Sequence, residues 1–72
     1  MKRYVICLNN ESYPVHLELR KVYEVVDDPV SEQEGLIRVI DETGEDYLFD
    51  ATRFAPVELP QAALEAFAAV RA

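Results

Sequence analysis

The 72-residue chain has no tryptophan, one cysteine, one histidine and no long apolar run. Each scarcity excludes something. With Cys7 alone no disulfide can form within the chain, whereas small secreted domains usually need disulfides to supplement a thin core. Only a few apolar residues follow the basic start Lys2-Arg3 before Asn9-Asn10 interrupts, too few for a signal-peptide core. Nothing approaches the ~18 apolar residues of a membrane span. The expectation is a cytoplasmic protein with no membrane partner, in which the glycosylation-like spacing of Asn10-Glu11-Ser12 is chance. One His and one Cys, in no Cys-x-x-Cys or His-x-x-x-His spacing, give no basis for a metal site. Asp41-Glu42-Thr43-Gly44-Glu45-Asp46 superficially suggests a calcium loop. Its glycine comes too early, however, and Thr52 stands where the closing glutamate belongs. No cofactor is expected.

Basic residues are also scarce. Seven Lys and Arg stand against fourteen Asp and Glu, for a formal net charge of -7. Between Glu24 and Asp50 there are ten acidic residues and a single basic one, Arg38. Nucleic-acid affinity rests on Lys and Arg meeting phosphates, so direct DNA or RNA binding is disfavoured. The acidity serves solubility or meets a basic partner.

What is present is a folding composition. Hydrophobic residues make up 50% of the chain, which argues against intrinsic disorder. The length allows one domain, burying only about 60% of its unfolded surface. β-rich runs occupy 4–8, about 21–27, 36–41, 46–50 and 55–58, with turn signals between them. Val15, Leu17 and Leu19 alternate with polar residues, predicting an extended segment with one buried face. Asp27-Asp28-Pro29 ends the second run, and a polar loop is expected from Asp28 to Gly35. Glu42-Thr43-Gly44-Glu45 predicts a tight hairpin. Ala51–Phe54 reads as one helical turn, and Pro56 suits an edge strand. From Pro60 to Ala72 the chain is alanine-rich. Leu64, Phe67, Ala68 and Arg71 share a helical stripe, and Leu64 and Phe67 are expected to face the sheet. The division is therefore a β unit over 1–58 and a docked helix over 59–72 within one domain.

The order of connections is long, medium, tight hairpin, then one helical turn. It resembles that of the SH3-like small barrel. Leu17-Glu18-Leu19-Arg20-Lys21-Val22-Tyr23-Glu24-Val25 and Ile37-Arg38-Val39-Ile40-Asp41-Glu42-Thr43-Gly44-Glu45 are similar to segments of small uncharacterised bacterial and phage proteins. The shared pattern is L-x-x-x-K-x-Y-x-V … I-x-V-x-D-E-x-G-E, and the resemblance covers 4–58. It implies a mainly β fold, a small five-stranded SH3-like barrel with a C-terminal α-helix. Peptide-binding SH3 domains carry aromatics in the first loop and a tryptophan pair. Here the first loop offers only Tyr13, so a groove for proline-rich ligands is not expected.

Candidate chemistry is sparse. Cys7 sits mid-strand as a small buried hydrophobe. His16 is expected on the outward, solvated face. A barrel this small leaves little room for a pocket of ~300 Å³. The chain reads as a non-enzyme, with catalysis by its carboxylates the least supported alternative. The best-supported role is a protein–protein interaction module with an acidic surface for a basic partner. The candidate contacts are Tyr13, Asp27, Asp28, Glu32, Glu34, Glu42, Glu45 and Asp46. The alternative is an acidic mimic of nucleic acid that blocks a nucleic-acid-binding protein.

Overall fold

The computed structural model describes residues 2–71, with side chains to residue 69. Met1, Ala72 and the side chain of Arg71, the last member of the helical stripe, lie outside the described residues. The strands are β1 (Arg3–Cys7), β2 (Val22–Val26), β3 (Leu36–Ile40), β4 (Asp46–Asp50) and β5 (Phe54–Val57). A short helix α1 (Pro29–Gln33) joins β2 to β3, and a 3₁₀ turn (Ala51–Arg53) joins β4 to β5. The C-terminal helix is α2 (Gln61–Arg71). The strands form one antiparallel sheet in the order β4-β3-β2-β1-β5. It is not closed: among the described residues β4 and β5 do not pair. The fold is a mainly β domain with an open five-stranded sheet and a helix.

One face of the sheet carries the core. Val5, Cys7, Tyr23, Val25, Val39, Phe49 and Phe54 bury together with Leu17 from the first loop, and Ile37 packs beside them. Removing such apolar surface from water is the main force holding a domain this small together. The other face of β1 is covered by α2. Tyr4 is buried there, its ring 4.9 Å from that of Phe67. Leu64 and Phe67 are half-buried as the stripe predicts, whereas Ala68 is exposed. Proline leads the helix because its carbonyl is all that is needed there. The amides of Ala63 and Leu64 donate to Pro60 O at 3.0 and 3.1 Å.

Two connections differ from expectation. The alternation at 15–19 is not a strand. Leu17 N–H donates to Tyr13 O at 2.9 Å, closing a tight turn that directs Leu17 into the core. Leu17 is 0% exposed, while Val15 is 74% and Leu19 42% exposed, so there is no shared buried face. The loop after Asp28 is in fact helical. Asp28 caps α1 by accepting from the Ser31 amide at 3.2 Å and hydroxyl at 2.8 Å, and Pro29 opens the first turn.

The β3–β4 hairpin forms where predicted. Gly44 takes φ +86, a left-handed conformation that glycine adopts without steric cost. Its amide donates to Asp41 O at 3.0 Å, and Asp41 N–H donates to Glu45 O at 3.0 Å. Pro56 lies in β5, an edge strand, as its missing N–H requires.

Candidate functional site

The hairpin is fastened to the first loop by its first residue. Asp41 is a buried carboxylate. It accepts from Thr43 N–H at 2.8 Å, from the Thr43 hydroxyl at 2.5 Å and from His16 at 2.9 Å. Burial alone would raise its pKa. The Thr43 and His16 hydrogen bonds outweigh burial and hold it below the usual carboxylate value. The ionised carboxylate is acceptor-only, so His16 donates to it through Nδ1–H, and Nε2 is the nitrogen not engaged by Asp41. The Glu42 amide also donates to His16 O at 2.9 Å. The expectation of a freely solvated His16 is therefore corrected. It is half-buried and tied to a residue 25 positions away.

The His16 ring stands between two tyrosines. Its centroid is 5.3 Å from Tyr47 and 6.3 Å from Tyr13, both edge-on. Tyr13 in turn meets Phe49 edge-on at 5.1 Å, and the Arg53 guanidinium lies 4.8 Å from its ring centroid. Arg53 donates to the carbonyls of Asn9 and Glu11, fixing the loop that carries Tyr13. Tyr13 is 38% and Tyr47 46% exposed. The result is a surface stripe, Tyr13–His16–Tyr47, whose rings are held by packing and hydrogen bonds.

A second polar cluster flanks the hairpin. The Tyr23 hydroxyl accepts from Glu18 N–H at 2.7 Å and donates to Glu42 at 2.5 Å. Lys21 pairs with Glu42 at 2.6 Å. Lys21 and Tyr23 hold the Glu42 carboxyl below its ordinary range. Burial, then the Glu42 hydrogen bond, pushes the Tyr23 phenol upward. Beside this cluster lies a groove of about 670 Å³ against α2, lined by Val22, Glu24, Ile40 and Phe67. Another of about 600 Å³ lies on the β5 side of the sheet, lined by Val25, Ile37, Phe54, Pro56 and Leu64. Both are clefts open to solvent and not enclosed cavities.

The predicted contact residues fall into two groups. Tyr13, Glu42, Glu45 and Asp46 belong to the stripe and hairpin. Asp27, Asp28, Glu32 and Glu34 cluster at α1. Many are already neutralised internally. Arg3 pairs with Asp27 at 2.8 Å and Glu32 at 2.6 Å. Arg38 pairs with Asp28 at 3.1 Å and reaches Asp46 at 3.6 Å. Hydrogen bonds from Ser31, then from Arg38, lower the Asp28 pKa. Glu34 and Glu45 are exposed and form no ion pair among the described residues. His16, Asp41 and Tyr47 carry no local sequence signal that would have grouped them with Tyr13. Their relation is made by the fold. Among the described residues no group of three or more His, Cys, Asp or Glu is placed to hold a metal ion, and no helix is long and apolar enough to cross a membrane.

The chain matches no known protein family, no curated protein and no solved structure.

Proposed function

We propose that this protein is a small non-catalytic interaction module that docks a basic partner protein through the Tyr13–His16–Tyr47 stripe and the adjoining hairpin carboxylates. The observation that carries the reading is the stripe itself. Two half-exposed tyrosines flank a histidine whose ring a buried carboxylate holds in place. Rigid aromatic surface of this kind gives contact area at little ordering cost, and tyrosine is enriched at binding hot spots. Of the adjoining hairpin carboxylates Glu42 is held by Lys21, while Glu45, with no ion pair among the described residues, and Asp46, which Arg38 only reaches at 3.6 Å, favour a cationic partner.

An SH3-like relationship is part of the same proposal. It is supported by a long first connection, a medium second one, a tight hairpin and a 3₁₀ turn before the last strand. Cys7 as a free buried thiol is compatible with a cytoplasmic setting. The nucleic-acid-mimic reading has less support, because Arg3, Arg38 and Lys21 already neutralise much of the acidic run. Capture from the source cell with the wild-type chain and with a Tyr13→Ala/Tyr47→Ala variant tests the proposal. Partners that are released by salt and absent from the variant are expected. An identical set of partners on both proteins would overturn it.

A further inference from the structure

The two edges of the sheet are not equivalent. On β5 the pairing with β1 is anchored by Leu8 N–H to Arg53 O at 2.7 Å. Alternation of bonded and non-bonded pairs in an antiparallel ladder then directs the backbone of Phe54 and Pro56 away from β1. Neither offers an edge donor: Phe54 N–H is taken by Ala51 O, and Pro56 has none. This edge is closed to an added strand on its donor side.

The β4 edge is open. Its ladder with β3 is anchored by Asp41 N–H to Glu45 O at one end and Ala51 N–H to Gly35 O at the other. The same alternation makes Val39/Tyr47 and Ile37/Phe49 the mutually bonded pairs. The N–H groups of Asp46, Leu48 and Asp50 and the C=O groups of Asp46 and Leu48 therefore point off the sheet, while the Asp50 C=O opens the 3₁₀ turn. Their side chains share one face, in the order acid, apolar, acid, and all three residues are exposed. Asp46 is partly met by Arg38, while Asp50 has no ion pair among the described residues.

We propose that the β4 edge accepts an extended basic segment of a partner protein as a sixth, antiparallel strand, with cations opposite Asp46 and Asp50 and an apolar residue opposite Leu48. This rests on the interaction-module reading and specifies the partner's chemistry. Main-chain hydrogen bonds to Asp46, Leu48 and Asp50 supply affinity, and alternate side chains supply selectivity. A second copy is a poor occupant. Antiparallel self-pairing about Leu48 sets Asp46 opposite the other copy's Asp50 at both ends, and like charges directly opposite one another repel. Tyr47 lies on the same strand, so the added strand would run beside the aromatic stripe.

The test uses the full chain and three synthetic peptides: a Lys-Thr-Val-Thr-Lys core, which sets Lys, Val and Lys opposite Asp50, Leu48 and Asp46, the same core N-methylated at the amides that would face β4, and its Glu-for-Lys counterpart. Amide exchange and chemical-shift mapping are the readouts. The expected result is roughly tenfold or greater slowing of exchange at Asp46, Leu48 and Asp50 with the first peptide. N-methylation should weaken binding at least about tenfold, a loss equivalent to ~1.4 kcal/mol, and the acidic peptide should not bind. Leu48→Pro removes the central outward N–H together with the leucine side chain, and should abolish the protection at Asp46 and Asp50. If that variant does not fold, the N-methylated peptide decides alone. Binding that shifts Tyr13, His16 and Tyr47, protects none of the three amides and ignores N-methylation would overturn the edge while leaving the module reading intact. Failure of the first peptide to bind would overturn the edge inference alone. So would a peptide-free dimer protecting the same amides, and the module reading would still be judged by its own Tyr13/Tyr47 capture.

Discussion

His16 Nδ1 lies 2.9 Å from Asp41 Oδ2, and this contact joins the first loop to the β3–β4 hairpin across 25 positions of sequence. The two ends differ in exposure: the His16 side chain is 34% exposed and the Asp41 side chain 0%. A buried carboxylate is costly unless it is fully hydrogen-bonded. Asp41 meets that condition through Thr43 as well as His16. The pair is therefore both a structural clamp and the mount of the aromatic stripe.

Asp41→Ala should destabilise the fold by about 1–3 kcal/mol, the range for leaving buried donors unsatisfied. It should also loosen His16 and Tyr47, seen as broadened ring signals in proton spectra. Glu45→Ala, on the exposed side of the same hairpin, should change stability by no more than about 0.5 kcal/mol. Chemical denaturation of both variants checks the contrast. Equal losses would mean that Asp41 does not clamp the hairpin.

Acid should destabilise the protein through three carboxylates. Asp41, Glu42 and Asp28 are each held below their ordinary values by hydrogen bonds and cations. A folded-state value below the unfolded one means that the unfolded chain binds more protons as the pH drops. The stabilisation is thus present above the ordinary carboxylate range of about 4 and is lost as the pH falls through the folded values. Denaturant midpoints should decline below pH about 4, and less steeply in Asp41→Asn. A midpoint independent of pH in that window would contradict the assignment.

The strands and the hairpin were legible in the sequence because β-branched and aromatic runs are bounded there by Asn, Asp, Gly and Pro. Pro56 marked its edge for the same local reason. Asp28-Pro29 with Ser31 following is a helix-start signature, but it coincides with a strand stop and reads as either. The alternation at 15–19 is too short to separate a pleat from a turn with one inward residue. The aromatic stripe was not legible beyond Tyr13, because its other members come from separate elements brought together only by sheet pairing. The charge run between Glu24 and Asp50 overstated the acidic surface. The sequence does not show Arg3 arriving from β1 to meet Asp27 and Glu32.

Leu17 gives the cleanest test of that turn. Read as a pleated strand, Val15, Leu17 and Leu19 would be comparably buried and comparably sensitive. In the structure Leu17 alone fills core volume. Leu17→Ala should cost about 2–5 kcal/mol, the range for emptying a buried leucine site. Val15→Ala should stay within about 0.5 kcal/mol. Similar losses at the two positions, measured by thermal or urea unfolding, would restore the strand.

Tyr23 is a core residue whose hydroxyl has a separate task. Its ring packs with Val5, Val25 and Val39, while its hydroxyl links the Glu18 amide to the Glu42 carboxylate. Tyr23→Phe keeps the ring and removes the link, so the ring's apolar burial is nearly unchanged and the loss isolates the polar part. Glu42 keeps Lys21 as a partner, whereas the Glu18 amide loses its acceptor. The expected cost is about 0.5–1.5 kcal/mol, that of a typical hydrogen bond, with hydrogen exchange at Glu18 the most affected of the loop amides. A Phe variant as stable as wild type, with Glu18 exchange unchanged, would show that the loop is held without this link, by the burial of Leu17 and by the Asn10 side-chain amide, which donates to Leu17 O at 3.0 Å. A loss above about 3 kcal/mol would mean that the hydroxyl organises the core itself.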